Sequence, residues 1–278
     1  MPKLMRNAFY HLAIILVGLF MLYPLAWMVS SSFKEAPAIF QSVKFFPDPA
    51  ILTNYINGWK GLSGIGFSTF FRNSLTIVLF IIVGNIASCL LAAFAFARLK
   101  FKAQAFWFSM MLGTMMLPGH VRLIPQYIIF NKLGWINTYF PLIVPSFFAT
   151  QGFFIFLMTQ FMRGLPRELD EAATVDGCGP FRLFTQILVP LSTPAIVTTS
   201  IFSFIWTWND FFSQMLYIND LRKATVALAL RMYVDASGSS SWGALFAMST
   251  LSLLPLFIMF IVFQRYLIEG ITAGGIKG

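Results

Sequence analysis

The chain has 278 residues, of which 58% are hydrophobic and 10% are charged, and its formal net charge is +9. A soluble domain of this size has too little interior to bury so much apolar surface, so the composition excludes a soluble globular protein and favours a membrane protein. The basic residues are scattered among the ends of apolar runs without forming a basic helix or patch, which indicates anionic lipid headgroups rather than nucleic acid as their partner.

Six apolar runs are long enough to cross a membrane. A helix needs about 20 such residues to span a hydrocarbon core of about 30 Å, and only a helix satisfies its own backbone in lipid at this length. The predicted class is therefore an all-α membrane protein with six transmembrane helices. The predicted spans are Phe9–Ser31, Asn73–Ala97, Ala105–Phe130, Thr138–Gln160, Pro194–Tyr217 and Trp242–Tyr266.

The first span lacks a convincing cleavage site at its end, so we expect an uncleaved anchor. We divide the chain into the first helix with an extracytoplasmic segment (1–72), a transmembrane domain (73–266) and a cytoplasmic tail (267–278). The basic cluster at residues 98–102 lies in a short loop and favours a cytoplasmic position for that loop, which would put both termini in the cytoplasm.

Cys89 and Cys178 fall in different environments, and their positions support neither a disulfide nor a metal site.

Between the fourth and fifth spans, a polar stretch from Glu168 to Pro190 predicts two short helices. Acidic residues suit the first turn of a helix, alanines favour its continuation, and the glycine at position 177 suits its end. A turn at Gly179 and Pro180 would then start a second helix over Phe181–Leu188. Two interpretations remain at this point: a helical hairpin that lies on lipid, or one whose small alanines allow another protein to approach closely.

The same stretch resembles the EAA loop of ABC-importer membrane subunits. The loop pattern is Glu-Ala-Ala, three residues, Gly, nine residues, Ile, any residue, Leu-Pro, and every position matches except Val189. The resemblance implies that the loop at residues 161–193 couples the spans to an ATPase. The residues implied in this coupling are Glu168, Asp170, Glu171, Ala172, Ala173, Asp176, Gly177 and Pro190.

Further runs look like the smaller permease of carbohydrate importers of the maltose and oligosaccharide type. They are Met116-Leu117-Pro118, Ile124-Pro125-Gln126-Tyr127, residues 133–138, residues 165–169, Trp208-Asn209-Asp210-Phe211 and the glycine-rich ending at residues 270–278. This resemblance implies a type I ABC-importer permease fold in a bacterial or archaeal cytoplasmic membrane. It also implies that the chain is not an enzyme and binds no cofactor, because ATP and Mg are bound by the partner ATPase.

The implied partners are a homologous second permease, two cytoplasmic ATPase subunits, an extracytoplasmic solute-binding protein, membrane lipid, and a sugar or oligosaccharide substrate. One alternative is an ABC permease for an amino acid, a peptide or glycerol phosphate. Another is a secondary transporter, which would need an ion-coupling network within its spans. The tail residue Lys277 either contacts the ATPase or belongs to a frayed terminus.

Polar residues at membrane depth are the candidates for a translocation pathway or gate: Asn85, His120, Arg122, Gln151, Trp208, Asn209 and Asp210. They either contact substrate or form hydrogen bonds between helices. Arg122 and Asp210 fall at similar depth and would pair or share a polar network near an outer gate. The alternative is that the arginine extends toward the headgroups and the aspartate closes its helix. We also expect Pro118 and Pro125 to bend the third span.

Overall fold

The chain folds almost entirely into helices. The structure is a computed structural model that describes residues 3–42, 44–235 and 241–275, with the backbone alone at 3–6, 8, 120, 235 and 266–275. These residues contain no β-strand. The helices are α1 (Lys3–Ser31), α2 (Ala36–Gln41), α3 (Thr53–Lys60), α4 (Phe67–Arg98), α5 (Gln104–Met116), α6 (Gly119–Lys132), α7 (Phe140–Ile143), α8 (Gly152–Gly164), α9 (Glu168–Val175), α10 (Pro180–Leu183), α11 (Val189–Leu191), α12 (Thr193–Asn209), α13 (Phe212–Tyr217), α14 (Val226–Asp235) and α15 (Trp242–Gly275), with 3₁₀ turns at Val144–Phe148 and Leu221–Lys223 and a π turn at Phe184–Leu188.

Five predicted spans have a counterpart that is long and apolar enough to cross a membrane. Among the described residues, four helical stretches meet this condition on their own, and the fifth is a pair of helices whose axes meet at 72°. The four stretches are Phe9–Ser31, Phe67–Arg98, Phe140–Gly164 and Trp242–Arg265, and the bent pair is Pro180–Leu191 with Thr193–Asn209. The last helix continues to Gly275, into the stretch predicted as a tail.

The segment predicted as the third span consists of two helices, α5 and α6. Leu117 and Pro118 between them have extended ψ angles of 127° and 128°. Proline lacks a backbone N–H and disfavours helical geometry at the residue before it, so the chain leaves the helix there. Pro118 thus interrupts this span, whereas Pro125 lies inside α6 without ending it.

Two other predicted spans are also interrupted. Ala149 adopts a left-handed conformation (φ 52°) just before α8, and Asp210 is extended between α12 and α13. Irregular backbone at membrane depth is tolerated where it is buried in protein or lines a cavity, because its polar groups need partners. The three interruptions therefore indicate where a cavity lies.

The described residues form two compact units, one within residues 1–69 and 229–255 and the other within 70–228 and 256–278. In the first unit the Trp27 ring packs edge-on against Phe246, with 5.3 Å between centroids. The Tyr233 hydroxyl donates to the carbonyl oxygen of Gly58 (2.6 Å), and burial raises the pKa of Tyr233 to about 12. The apolar side chains of α1 remain largely exposed.

The core of the second unit joins spanning helices to the hairpin that follows α8. Its buried residues come from α4, α8, the π turn and the start of α12. The rings of Phe94 and Phe184, on α4 and the π turn, lie 5.0 Å apart. The hairpin is thus packed into the same core as the spanning helices.

A glycine allows α4 to approach the 3₁₀ turn that precedes α8. A Cβ atom at Gly84 would lie 2.2 Å from Oγ of Ser146 and 2.8 Å from the Phe147 ring. Small residues permit such close contact between helices in membranes.

We predict that Gly84→Ala lowers the thermal unfolding temperature of the purified protein in detergent, because overpacking a fitted contact costs about 1 to 3 kcal/mol. Gly113→Ala on α5 is the matched control, because its added Cβ meets nothing within 4 Å. An unfolding temperature for Gly84→Ala at or above that of the control would show that the contact is loose.

Candidate functional site

The first helix of the hairpin, α9, begins and ends as its sequence predicts. Glu168, Asp170 and Glu171 occupy its first turn, where the helix dipole favours negative charge. At its end Gly177 is left-handed (φ 77°), its N–H donates to the carbonyl of Thr174 (3.0 Å), and that of Cys178 donates to Ala173 (2.9 Å). These two bonds form a Schellman motif, which fixes the direction in which the chain leaves the helix.

The second half of the hairpin is also helical, as predicted. Gly179 is extended and Pro180 opens α10, where its missing N–H costs no helical bond. Helical structure then continues through the π turn to Leu191, with Pro190 exposed in the last turn. We call residues 168–191 the EAA hairpin.

The EAA hairpin has a buried side and an exposed side. Ala173, Phe184 and Leu188 are buried in the second unit. The opposite side presents Val175, which is 89% exposed, and Phe181, which is 74% exposed. The coupling candidates on this exposed side are Glu168, Glu171, Ala172, Asp176 and Gly177. Val175 and Phe181 lie outside the four stretches that can span a membrane on their own, and highly exposed apolar side chains there are one feature of surfaces that bind other proteins.

An ion pair ties α9 to the end of α4. Nε of Arg98 lies 3.0 Å from Oδ2 of Asp170, and the two side chains are only 2% and 17% exposed. Nη2 of Arg98 also donates to the carbonyl oxygen of Leu165 (3.0 Å). Nε has no aligned hydrogen bond, so the contact with the carboxylate is ionic.

Two more arginines connect the residues before α9 to the same helix end. Arg163 and Arg167 donate to the carbonyl oxygens of Phe96 (3.2 Å) and Ala97 (3.3 Å), which lack intrahelical partners. The Arg163 guanidinium also lies 4.7 Å from the centroid of the Phe108 ring. We call the contacts of Arg98, Arg163 and Arg167 the arginine clamp.

The arginine clamp is absent from the sequence prediction, which used the basic cluster at residues 98–102 only to orient the chain. The available signal was the basic cluster after α4 together with the acidic first turn of α9. Because the partners lie about 70 positions apart, that signal could suggest attraction but not a specific pair.

A cavity of about 610 Å³ lies in the second unit, where the interrupted spans meet. Gly119, Thr150 and Asp210, each next to an interruption, all line it. The predicted pathway residues that line it are Asn85, Arg122, Gln151, Asn209 and Asp210. The sequence candidates therefore converge on one cavity although they come from four helical segments.

The other two pathway candidates have different positions. Trp208 is buried and stacks on Phe204 with 5.5 Å between centroids, and it does not line the cavity. The side chain of His120 lies outside the described part of the structure, as does Lys277.

Buried polar groups belong to the walls of the cavity. Asn85 donates through Nδ2 to Oγ of Ser203 (3.1 Å), while its Oδ1 has no partner among the described residues. The same holds for Oε1 of Gln214 and the hydroxyl of Tyr217, which the sequence did not single out. A buried polar group without a hydrogen bond lowers the stability of the folded state. These groups can therefore form hydrogen bonds in another conformation of the protein or with a ligand.

Arg122 and Asp210 share the cavity wall but do not pair in this conformation, since no ion pair within 4.0 Å joins these two described residues. Asp210 instead accepts a hydrogen bond through Oδ1 from the backbone N–H of Ser213 (3.0 Å). The aspartate therefore caps the first turn of α13. The sequence alternative had the aspartate closing its own helix, whereas this bond lies at the start of the next one.

Spanning helices, the EAA hairpin and a polar cavity are together the features of a multi-pass membrane transport subunit. Residues 84–272 match the family described as binding-protein-dependent transport system inner membrane components, and the chain belongs to this family. The type I ABC-importer permease fold predicted from the sequence is confirmed.

Alignments with named relatives extend over nearly the whole chain. The trehalose/maltose transport system permease protein MalG of Thermococcus litoralis is 32% identical over 95% of this chain and 94% of its own. The sn-glycerol-3-phosphate transport system permease protein UgpE of Brucella abortus is 31% identical over 96% of both. A crystal structure of a bacterial ABC transporter involved in import of the acidic polysaccharide alginate shares the fold, with a TM-score of 0.84, 22% identity and coverage of 96% of this chain and 98% of that one.

We predict that Arg98→Met loosens the attachment of α9, because removing one partner of a buried ion pair costs about 3 to 5 kcal/mol. Amide hydrogen exchange in residues 163–178 should then be at least about tenfold faster, since about 1.4 kcal/mol corresponds to a factor of ten. The measurement is exchange followed by mass spectrometry on the purified protein.

Two further variants make this test specific. The exchanged pair Arg98→Asp with Asp170→Arg should recover part of the protection. Glu171→Gln, on the exposed side of α9, should change it far less than Arg98→Met, because an exposed charge in the first turn contributes only about 0.3 to 1 kcal/mol. Equal exchange in Arg98→Met and the native protein would contradict a clamp that holds the hairpin.

Proposed function

We propose that this chain is the permease subunit of an ATP-driven importer that moves a sugar or oligosaccharide across the cytoplasmic membrane. The observation that carries the proposal is the EAA hairpin, which is fixed to a spanning helix on one side and exposes Val175 and Phe181 on the other. A hairpin that only lies on lipid does not need to be fixed to a spanning helix. A hairpin that transmits movement from one protein to another does, and the arginine clamp provides this attachment.

The partner at the exposed side is a soluble ATPase in the cytoplasm, which binds ATP and Mg and hydrolyses the nucleotide. Glu171 and Ala172 lie on this side, so a carboxylate and a small side chain can enter a cleft together. The hairpin follows an arginine-rich helix end, and basic residues favour the cytoplasmic side. The termini, the hairpin and the ATPase then share that side.

Helix α4 offers a direct mechanical route from the hairpin to the cavity. Its end at Arg98 is held by the clamp, while Asn85, about 20 Å further along at 1.5 Å per residue, lines the cavity. A rigid-body movement of the hairpin would therefore displace the cavity wall. Alternating access follows when a second, homologous permease forms the remaining wall and a binding protein delivers substrate from outside.

The cavity supports a polar, uncharged substrate more than an anionic one. One cation, Arg122, and one anion, Asp210, line it, so their charges balance. Amide groups and aromatic rings such as Trp206 accompany them, and hydroxyl-rich ligands use both. The glycerol-phosphate relative makes an anionic substrate the second candidate, and Arg122 is the residue that would favour it.

The direct test is ATP hydrolysis by the complex assembled in lipid with its binding protein, stimulated in turn by neutral oligosaccharides, acidic oligosaccharides and sn-glycerol 3-phosphate. We predict that a neutral sugar stimulates hydrolysis and that Glu171→Lys abolishes the stimulation, because it places a cation at the docking side of α9.

Glu35→Lys makes the same charge change at an exposed position outside the hairpin and serves as the control. Full stimulation in a correctly assembled Glu171→Lys complex would overturn the role of the hairpin. Stimulation by glycerol phosphate alone would replace the proposed substrate class.

A further inference from the structure

A second cavity, of about 480 Å³, lies where α4 ends, α5 begins and α8 ends. It is separate from the polar cavity and shares no residue with it. Its polar lining consists of Arg98, Lys100, Gln104, Ser109, Arg163 and Arg167. Four of these six side chains are cationic and none is a carboxylate.

The positive charge of this cavity is only partly compensated. Asp170 neutralises Arg98. Arg163 and Arg167 each donate one N–H to a backbone carbonyl, which leaves most of their five donors and their full charge available. Lys100 forms no side-chain hydrogen bond or ion pair with the described residues. Three like charges around one cavity favour the binding of an anion.

The position of the cavity indicates the source of that anion. The ends of the spanning stretches Phe67–Arg98 and Phe140–Gly164 border it, so it lies at the level where the membrane meets water. Phe106 and Trp107, in the first turn of α5, are more than half exposed, and such rings are enriched at the headgroup level. The phosphate of a lipid headgroup can therefore reach the cavity, while the acyl chains of the same lipid lie beside the exposed rings.

We propose that this cavity binds the headgroup phosphate of an anionic phospholipid. Basic pockets between spanning helices are suited to such headgroups. Arg163 and Arg167 supply paired N–H donors to the phosphate oxygens, and Lys100 adds a mobile charge. Because Arg163 and Arg167 also hold the end of α4, a bound lipid would reinforce the arginine clamp. The orientation given under the proposed function places this cavity in the cytoplasmic leaflet. The lipid site itself does not depend on that orientation.

The test compares two lysines of the same loop. Lys100 lines the cavity and Lys102 does not, although both are exposed. The purified full-length protein is placed in nanodiscs of phosphatidylglycerol or phosphatidylcholine, and the lipid retained after detergent extraction is counted by native mass spectrometry. We expect retained phosphatidylglycerol to fall about tenfold in Lys100→Gln, because a direct hydrogen bond between a cation and a phosphate contributes about 1.5 kcal/mol. It should be unchanged in Lys102→Gln and kept in Lys100→Arg.

Three results would overturn the proposal. Equal losses in Lys100→Gln and Lys102→Gln would mean general attraction to an anionic surface, and no loss in either would mean that the cavity holds no lipid. Binding of inorganic phosphate that Lys100→Gln abolishes, together with unchanged retention of phosphatidylglycerol, would assign the cavity to free phosphate. None of these readouts depends on transport, so failure here is distinguishable from failure of the importer assignment.

Discussion

The unpaired carbonyl groups at the end of α4 are the constraint on which the rest of the second unit depends. A helix leaves its last carbonyls without partners, and here those of Phe96 and Ala97 receive donors from Arg163 and Arg167, with Gln104 adding a bond to Phe96 (2.9 Å). The requirement is local, but its solution brings the chain before α9 to α4. Asp170 then reaches Arg98, and the EAA hairpin is fixed to a spanning helix.

The polar cavity follows from a similar requirement at membrane depth. Each interrupted span frees backbone groups that lipid cannot satisfy, and the interruptions gather around one space. The buried Oδ1 of Asn85 and Oε1 of Gln214 are left unpaired at this wall. A transporter needs a wall that changes its hydrogen bonds as it opens and closes, and unpaired groups lower the cost of leaving this conformation.

The features that local chemistry determines could be predicted from the sequence. Apolar length identified five of the six predicted spans, and Gly177 and Pro180 marked the end of one short helix and the start of the next. The break at Leu117 had a signal in Pro118, but the left-handed Ala149 had none, because alanine rarely adopts that conformation. The ion pair of Arg98 with Asp170 and the convergence of Gln214 with Asn85 depend on tertiary packing, which a single sequence does not reveal.

The most direct test of the account is whether the hairpin and the end of α4 move together. Spin labels at Thr174 on α9 and at Leu99, both exposed, report their separation in the assembled importer with and without ATP; Cys178 is replaced by serine, and Cys89 is buried. If the clamp couples them, the distance from Thr174 to Leu99 is the same in both states, while the distance from Thr174 to Lys132 at the end of α6 changes. A change between Thr174 and Leu99 as large as that reference change would contradict coupling through the arginine clamp.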